Sequence, residues 1–374
     1  MKPFDVYSVF DIDITKALGL TLWDNQAKSY LDLYGGHAVI SIGHSHPSYV
    51  SAITNQLQHI GFYSNSIKMP LQDELAQKLG ELSGYPDYQL FMCNSGAEAN
   101  ENAFKLSSFH NGRKKIIAFE KSFHGRTSLA VATTDNSSIV APVNQNNNIC
   151  FLPLNDIAKF ENEIDETTCA VIIEGIQGVG GVNIPNPAFL KHIETLCREK
   201  GVVFIVDEIQ SGYGRSGKFF AHQHANITPD IVTIAKGMGN GFPVAGLLIN
   251  PNIQAKKEML GTTFGGNYLA CAAAISVLDT IKTEHLIDNA MKQGAYLLEQ
   301  LKPISRIKEI RSLGLMTGIE LHLPCADARK ELLFKHFIFT GSSSNKNTIR
   351  ILPPLTISEK EIDIFINALN QVLN

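Results

Sequence analysis

Through the middle of the chain, short apolar runs alternate with longer stretches of helical periodicity, the pattern of a parallel sheet flanked by helices. Residues 115–119, 169–173, 202–206 and 231–235 are too short for helices and nearly free of polar residues, as strands covered on both faces must be. Each run gives way to polar or glycine-rich sequence. In order these segments are Phe123-His124-Gly125-Arg126, Glu174-Gly175-Ile176-Gln177-Gly178, Asp207-Glu208-Ile209-Gln210 and Lys236-Gly237. If the strands are parallel, all four groups emerge along one sheet edge, where open α/β folds place their ligands. Two more segments join them. Residues 89–93 run into Asn94-Ser95-Gly96-Ala97 and a helix expected to reach about residue 109, and a hydroxyl- and glycine-rich turn at 262–267 enters a small-residue helix over 268–277.

The flanks have a different texture. Residues 1–49 read as extended or hairpin-like around Trp23-Asp24-Asn25-Gln26, and residues after about 283 mix helix with short strands. The Asn-rich stretch 144–148 and residues 341–347 read as surface loops.

Composition narrows the classes. A chain of 374 residues suits one large domain with a smaller companion. A formal charge of −4 provides no broad cationic field for nucleic acid or anionic lipid, so neither is expected as a partner. The six cysteines are scattered without the close spacing of zinc or redox motifs, which fits a reducing, cytoplasmic compartment. No apolar run suggests a secretion signal or a membrane span.

Lys236 is the first candidate for chemistry. An amine at the end of a buried strand, followed by Gly237, Gly239 and Gly241, has room for a cofactor, and desolvation would favour the neutral form that attacks an aldehyde. Taken alone, it is more simply a lysine capping a strand at the surface. Asp207 changes that balance. A carboxylate directly after an apolar strand on the same edge is costly without a cationic partner, and a protonated pyridine nitrogen would be one. Ser95 and Gly96 offer a capped helix start for a phosphate, and Thr262 or Thr263 could reach one too, although caps and tight packing explain both turns equally well locally. The pairs His44 and His46, and His222 and His224, lack a third ligand at recognisable spacing, so no metal is expected.

Taken together, Asn94-Ser95-Gly96-Ala97-Glu98-Ala99-Asn100, Phe123-His124-Gly125-Arg126-Thr127, Asp207 to Arg215, Lys236-Gly237, Thr262 to Asn267 and Arg350 to Leu355 resemble the class III (ornithine-type) aminotransferases, and within them the N-acetylornithine branch. The resemblance runs from about Leu20 onward. It implies the α/β architecture of pyridoxal-5′-phosphate (PLP) fold-type I enzymes: a mainly parallel seven-stranded sheet flanked by helices, in a large domain over 50–282. Residues 1–49 and 283–374 would together form a smaller α+β domain.

The resemblance also implies roles. Lys236 would carry PLP as a Schiff base, Asp207 would pair with the ring nitrogen, Gln210 would contact the phenolate oxygen, and Phe123 would stack on the ring. Ser95, Gly96 and Ala97 would hold the phosphate, with His124 and Glu174 as further cofactor contacts and Thr263 reaching the phosphate of the neighbouring subunit of a homodimer. Arg126, with Thr262 nearby, would bind the donor α-carboxylate, and Arg350 that of 2-oxoglutarate. The implied reaction moves the δ-amine of an N-acylornithine to 2-oxoglutarate in arginine biosynthesis. Transamination of another ω-amine, such as ornithine or 4-aminobutyrate, and a PLP aminomutase are the alternatives.

Three positions depart from the family pattern. Gly175 stands where proline is usual, Ala97 where threonine is usual, and Val179 where a glutamate normally pairs with the arginine matched by Arg350. Loss of that glutamate would leave the pocket more cationic, so an extra substrate carboxylate, as in N-succinylornithine, would be welcome.

Overall fold

The computed structural model describes residues 1–373. Its centre is a seven-stranded sheet in the order Gln89–Cys93, Ala245–Ile249, Ile231–Ile234, Val203–Asp207, Thr168–Glu174, Lys115–Phe119 and Ile149–Leu152. Only Ala245–Ile249 runs against its neighbours. Because a single reversed strand separates Gln89–Cys93 from Ile231–Ile234, those two run the same way and end on the same edge. The expected mainly parallel sheet is thus observed, with strand ends moved by a residue: 202–206 is Val203–Asp207 and 231–235 is Ile231–Ile234.

Successive residues of the central strands serve opposite faces, as a period of two requires. Ala170 and Ile172 pack with Ala99, Ala103 and Phe104 of the helix Gly96–Asn111. Val171 and Ile173 pack on the other side with Phe160, Phe189 and Ile193. Every residue of Thr168–Glu174 is buried. At about 1.5–3 kcal/mol for each large apolar side chain removed from water, these two layers fix the sheet and therefore its functional edge. The crossover helix Pro187–Lys200 shows how sequence sets its ends: the Asn186 side chain accepts from Ala188 N at 2.9 Å, Pro187 occupies the first turn, and Gly201 leaves it at φ +62°.

Two smaller sheets flank this body. Ile14–Leu18, Thr21–Asp24 and Ser29–Asp32 form an antiparallel meander, turning where Asp24 Oδ1 accepts from Gln26 N and Lys28 N, and Ile338–Phe339 joins it in parallel. Ile307–Leu313, Met316–Leu321 and Thr348–Ile351 make a three-stranded antiparallel sheet. The small-residue helix extends further than its sequence suggests, over Tyr268–Thr283. Residues 341–347 do not behave as a simple surface loop: Gly341 is buried and bridges Arg350, and Ser344 N donates to Val179 O at 2.8 Å.

Candidate active site

Register places Glu174 beside Asp207, and Asp207 beside Thr233, three residues before Lys236. Two carboxylates and an amine therefore share the carboxyl edge of three adjacent strands. Asp207 is buried and fully engaged: Oδ2 accepts from His124 Nδ1 at 2.8 Å and Asn100 Nδ2 at 2.9 Å, and Oδ1 from Ile209 N at 3.0 Å. Asn100 comes from the second turn of the helix Gly96–Asn111. It also donates to His124 O at 2.7 Å and accepts from Thr233 Oγ1 at 2.8 Å, so one amide locks strand, turn and helix together.

Glu174 Oε1 accepts from Phe123 N at 3.0 Å and Oε2 from Gly178 N at 3.1 Å. Burial pushes its carboxyl up to about 7; His124 and the two amides pull it down, and the Asp207 charge pushes it further up. Lys236 is half-buried, at a φ of +44° that costs about 1–3 kcal/mol outside glycine. Burial lowers the pKa of its amine, Asp207 and Glu174 oppose that, and Arg350 adds to it. A lowered pKa is what a nucleophilic amine needs.

These groups line a cavity of about 380 Å³ with Ser95, Gly96, Ala97, Phe123, Gly125, Arg126, Ile209, Gln210 and Val179. At one end the helix Gly96–Asn111 begins. Ser95 caps it by accepting from Glu98 N at 3.2 Å, and the amides of Gly96 and Ala97 precede that bond in the first turn. Gly125, at φ +145°, lets the turn 123–126 lie against this helix start; a Cβ there would sit 2.8 Å from Ala97 Cβ. Arg126 is exposed at the rim, its guanidinium 6.0 Å from the Phe123 ring centre.

Arg350, on Thr348–Ile351, is buried behind Gln210. It donates to Gln210 Oε1 at 3.2 Å, Tyr34 Oη at 2.9 Å and Ser342 O at 2.5 Å. All three acceptors are neutral, and among the described residues no carboxylate lies within ion-pair distance of it. Gln210 Nε2 in turn donates to His37 O at 3.0 Å. His37 belongs to a turn, Gly35–Ala38, whose four residues all have positive φ.

Two predicted residues stand apart. Thr262 Oγ1 accepts from Gly265 N at 3.1 Å and Asn94 Nδ2 at 3.4 Å, outside the cavity lining, and Thr263 is exposed and does not reach this chain's cavity. The histidine pairs are occupied otherwise: His44 bonds Asp32 at 2.9 Å, and His222 bridges Glu208 at 2.8 Å and Tyr85 at 2.6 Å. Among the described residues no cluster of three His, Cys, Asp or Glu could hold a metal.

The residues fit the cofactor implied by the sequence. An amine of lowered pKa, a buried carboxylate for a ring nitrogen, and a glycine-padded helix start for a phosphate converge on one cavity. Comparison with known proteins agrees: the family described as "Aminotransferase class-III" matches residues 5–373. The chain belongs to the class III aminotransferases. Acetylornithine aminotransferase of Bacillus subtilis (strain 168) is 40% identical over 383 residues, covering 99% of this chain and 97% of the relative. That of Methanothermobacter thermautotrophicus is 38% identical over 378 residues, covering 98% and 95%. Ornithine aminotransferase from Toxoplasma gondii, in a crystal structure with partial occupancy of PLP at its active site, superposes with a TM-score of 0.91 at 28% identity, over 99% of this chain and 91% of that one. An (S)-enantioselective omega-transaminase from Thermomicrobium roseum gives 0.89 at 27%, over 99% and 97%.

In this aminotransferase, Gly175 has a local reason. Its N–H donates to Asp207 O at 3.0 Å, continuing the ladder at the site, and a Cβ would fall 2.6 Å from Glu208 Oε1. Asn100 and Tyr34 escaped the sequence reading. Asn100 lies within a quoted motif, one helical turn past Gly96, but its partner is 107 residues away. Tyr34 meets Arg350 across 316 residues, a pairing that no local pattern signals.

Proposed function

We propose that this aminotransferase moves the δ-amine of an N-acylornithine to 2-oxoglutarate with PLP as cofactor, giving an N-acylglutamate semialdehyde and glutamate for arginine biosynthesis. The observation that carries the reading is the meeting of Lys236, Asp207 and Glu174 at one sheet edge, facing a capped helix start. When bound, the cofactor supplies an aldehyde that takes up the amine and a ring that withdraws electrons from the substrate carbon.

The chain's own groups do the rest. Asp207, held by His124 and Asn100, offers a fixed carboxylate to the ring nitrogen, so the proton there is retained. Ser95, Gly96 and Ala97 would receive the phosphate and Phe123 would stack on the ring, while Glu174 steadies the turns at 123 and 178. Lys236 Nζ would hold the cofactor and, as a free amine beside the substrate, would carry the proton from its δ-carbon. Arg126 would orient the donor α-carboxylate from the rim, and Thr262, outside the cavity lining, would act there only through Asn94. Arg350 would orient the acceptor, aided by Gln210, which accepts from the guanidinium and would contact the cofactor's phenolate oxygen.

The neutral partners of Arg350, with Val179 in the wall, support use of N-succinylornithine as well as or better than the acetyl compound. The exposed Thr263 suits a homodimer in which it reaches the neighbouring subunit's cofactor phosphate. The proposed division is a large domain of 50–282 and a small one of 1–49 with 283–374. The free state of all six cysteines supports a cytoplasmic setting, and no helix among the described residues is long and apolar enough to cross a membrane.

The test is an absorption spectrum of the protein loaded with PLP, followed on adding N-acetylornithine or N-succinylornithine. Bleaching of the lysine-bound cofactor band, and its return with 2-oxoglutarate, is expected, faster with the succinyl compound. A band that neither donor bleaches would refute the substrate reading, and turnover without 2-oxoglutarate would favour an aminomutase.

A further inference from the structure

Between the buried Ile176 and Val182, the loop that follows strand Thr168–Glu174 is glycine at 178, 180 and 181. It folds back on itself through Gln177 and Asn183, which exchange both backbone bonds, and through Gly181 N donating to Gly178 O. At Gly178 a side chain has no room: a Cβ would lie 1.7 Å from Gln210 Oε1. Val179 lines the active-site cavity on one side. On the other side Gly180 lines a second cavity, of about 680 Å³, with Lys121, Asp135, Arg311 and Glu320. The wall of the active site is therefore one chain thick at this point, with open space behind it. Packing anchors its ends, where Ile176 and Val182 join a buried cluster with Met316 and Leu352, but does not set the strip between them.

Hydrogen bonds do. Ser344 donates to Val179 O through its backbone N at 2.8 Å and its hydroxyl at 3.2 Å, and Arg311 Nε donates to Gly181 O at 3.0 Å. The same guanidinium donates to Thr348 Oγ1 at 3.0 Å and to Glu320 Oε2 at 2.7 Å. Glu320 is itself oriented by Lys308 at 2.8 Å and Asn345 at 3.0 Å. Thr348 precedes Arg350 by two residues on one strand, so both project from the same face. A single rigid fork thus ties the Val179 wall to the strand bearing the arginine.

We propose that Arg311 is a positioning residue for the acceptor: it sets the separation between the Val179 wall and Arg350, and with it the fit of a dicarboxylate. This rests on the transamination reading above. Arg311 touches neither substrate nor cofactor; it acts through the loop and the strand. Lysine can keep the charge opposite Glu320 but cannot span Gly181 O and Thr348 Oγ1 at once. Arg311→Lys should therefore preserve the fold and lose the alignment.

The experiment measures Arg311→Lys and Arg311→Met in three ways: KM for 2-oxoglutarate, the single-turnover rate of the donor half-reaction with N-acetylornithine, and amide exchange over residues 176–184 in cofactor-free protein. Expected for the lysine variant are a KM for 2-oxoglutarate raised about tenfold, a donor half-reaction within about twofold of the parent, an unchanged melting temperature and faster exchange in the loop. An unchanged KM in both variants would overturn the proposal. So would equal losses in both half-reactions together with a lower melting temperature, which mark a merely structural role. A parent protein that takes no amine from the donor would defeat the functional reading instead, and loop exchange would then decide the clasp by itself.

Discussion

Replacing Glu174 with glutamine should flatten part of the protein's stability against pH. Glu174 is pushed from an ordinary 4.5 up to about 7, chiefly by burial. A carboxyl whose pKa is raised on folding binds its proton more tightly in the folded state, so its favourable contribution is complete below about 4.5 and is lost as pH rises through about 7. With about 1.36 kcal/mol per unit, the loss between pH 5 and pH 8 comes to about 2–3 kcal/mol. Glutamine does not titrate. It adds a constant penalty of about 1–3 kcal/mol, because its amide must face one of the two N–H donors, Phe123 N or Gly178 N, that the carboxylate accepts. The constant term cancels in the slope. Urea denaturation of cofactor-free parent and Glu174→Gln protein at pH 5, 6, 7 and 8 measures it, and the variant should gain about 2–3 kcal/mol relative to the parent across that span. Parallel stability curves would show that Glu174 ionises normally, and that the account of its burial beside Asp207 is wrong.

Two further substitutions separate chemistry from scaffold. Lys236→Ala should abolish turnover, while PLP still binds through Ser95, Gly96 and Asp207; equilibrium dialysis with a steady-state assay checks both, and persisting turnover would remove the lysine from the mechanism. Gly175→Pro, although it restores the usual family residue, should cost about 2–4 kcal/mol in urea denaturation, because it deletes the bond to Asp207 O and sets a ring against Glu208. A neutral result would mean that Glu208 and its neighbours relax freely.

The sheet was legible because strands covered on both faces must be apolar throughout, and the runs ending at Phe119, Ile173, Val206 and Ala235 have few polar interruptions. The same logic puts Lys236 and Asp207 on one edge from sequence alone, since parallel strands share an edge by construction. What sequence did not reveal depends on meetings between distant segments. Asn100 reads as an ordinary helical polar residue until Asp207 and Thr233 close on it. Residues 341–347 look like solvent-facing serine and asparagine, yet Ser344 reaches Val179 and Gly341 must stay bare because a Cβ would strike the Tyr34 ring at 2.2 Å. Strand ends moved by single residues because hydrogen bonding, rather than hydrophobicity, decides where a ladder stops.

The bond from Arg350 to Tyr34 joins residues 316 apart, whereas Lys236, Asp207, Asn100 and Ser95 all lie well upstream of Arg350. During synthesis at about 5–20 residues per second, the residues proposed for cofactor and phosphate exist on the order of ten seconds before the arginine proposed for the acceptor does. Among the described residues, a short turn and the helix Glu359–Leu373 follow its strand. The residues proposed for the cofactor are thus made before the residue proposed for the acceptor, so a chain cut at residue 340 would carry the first set without the second.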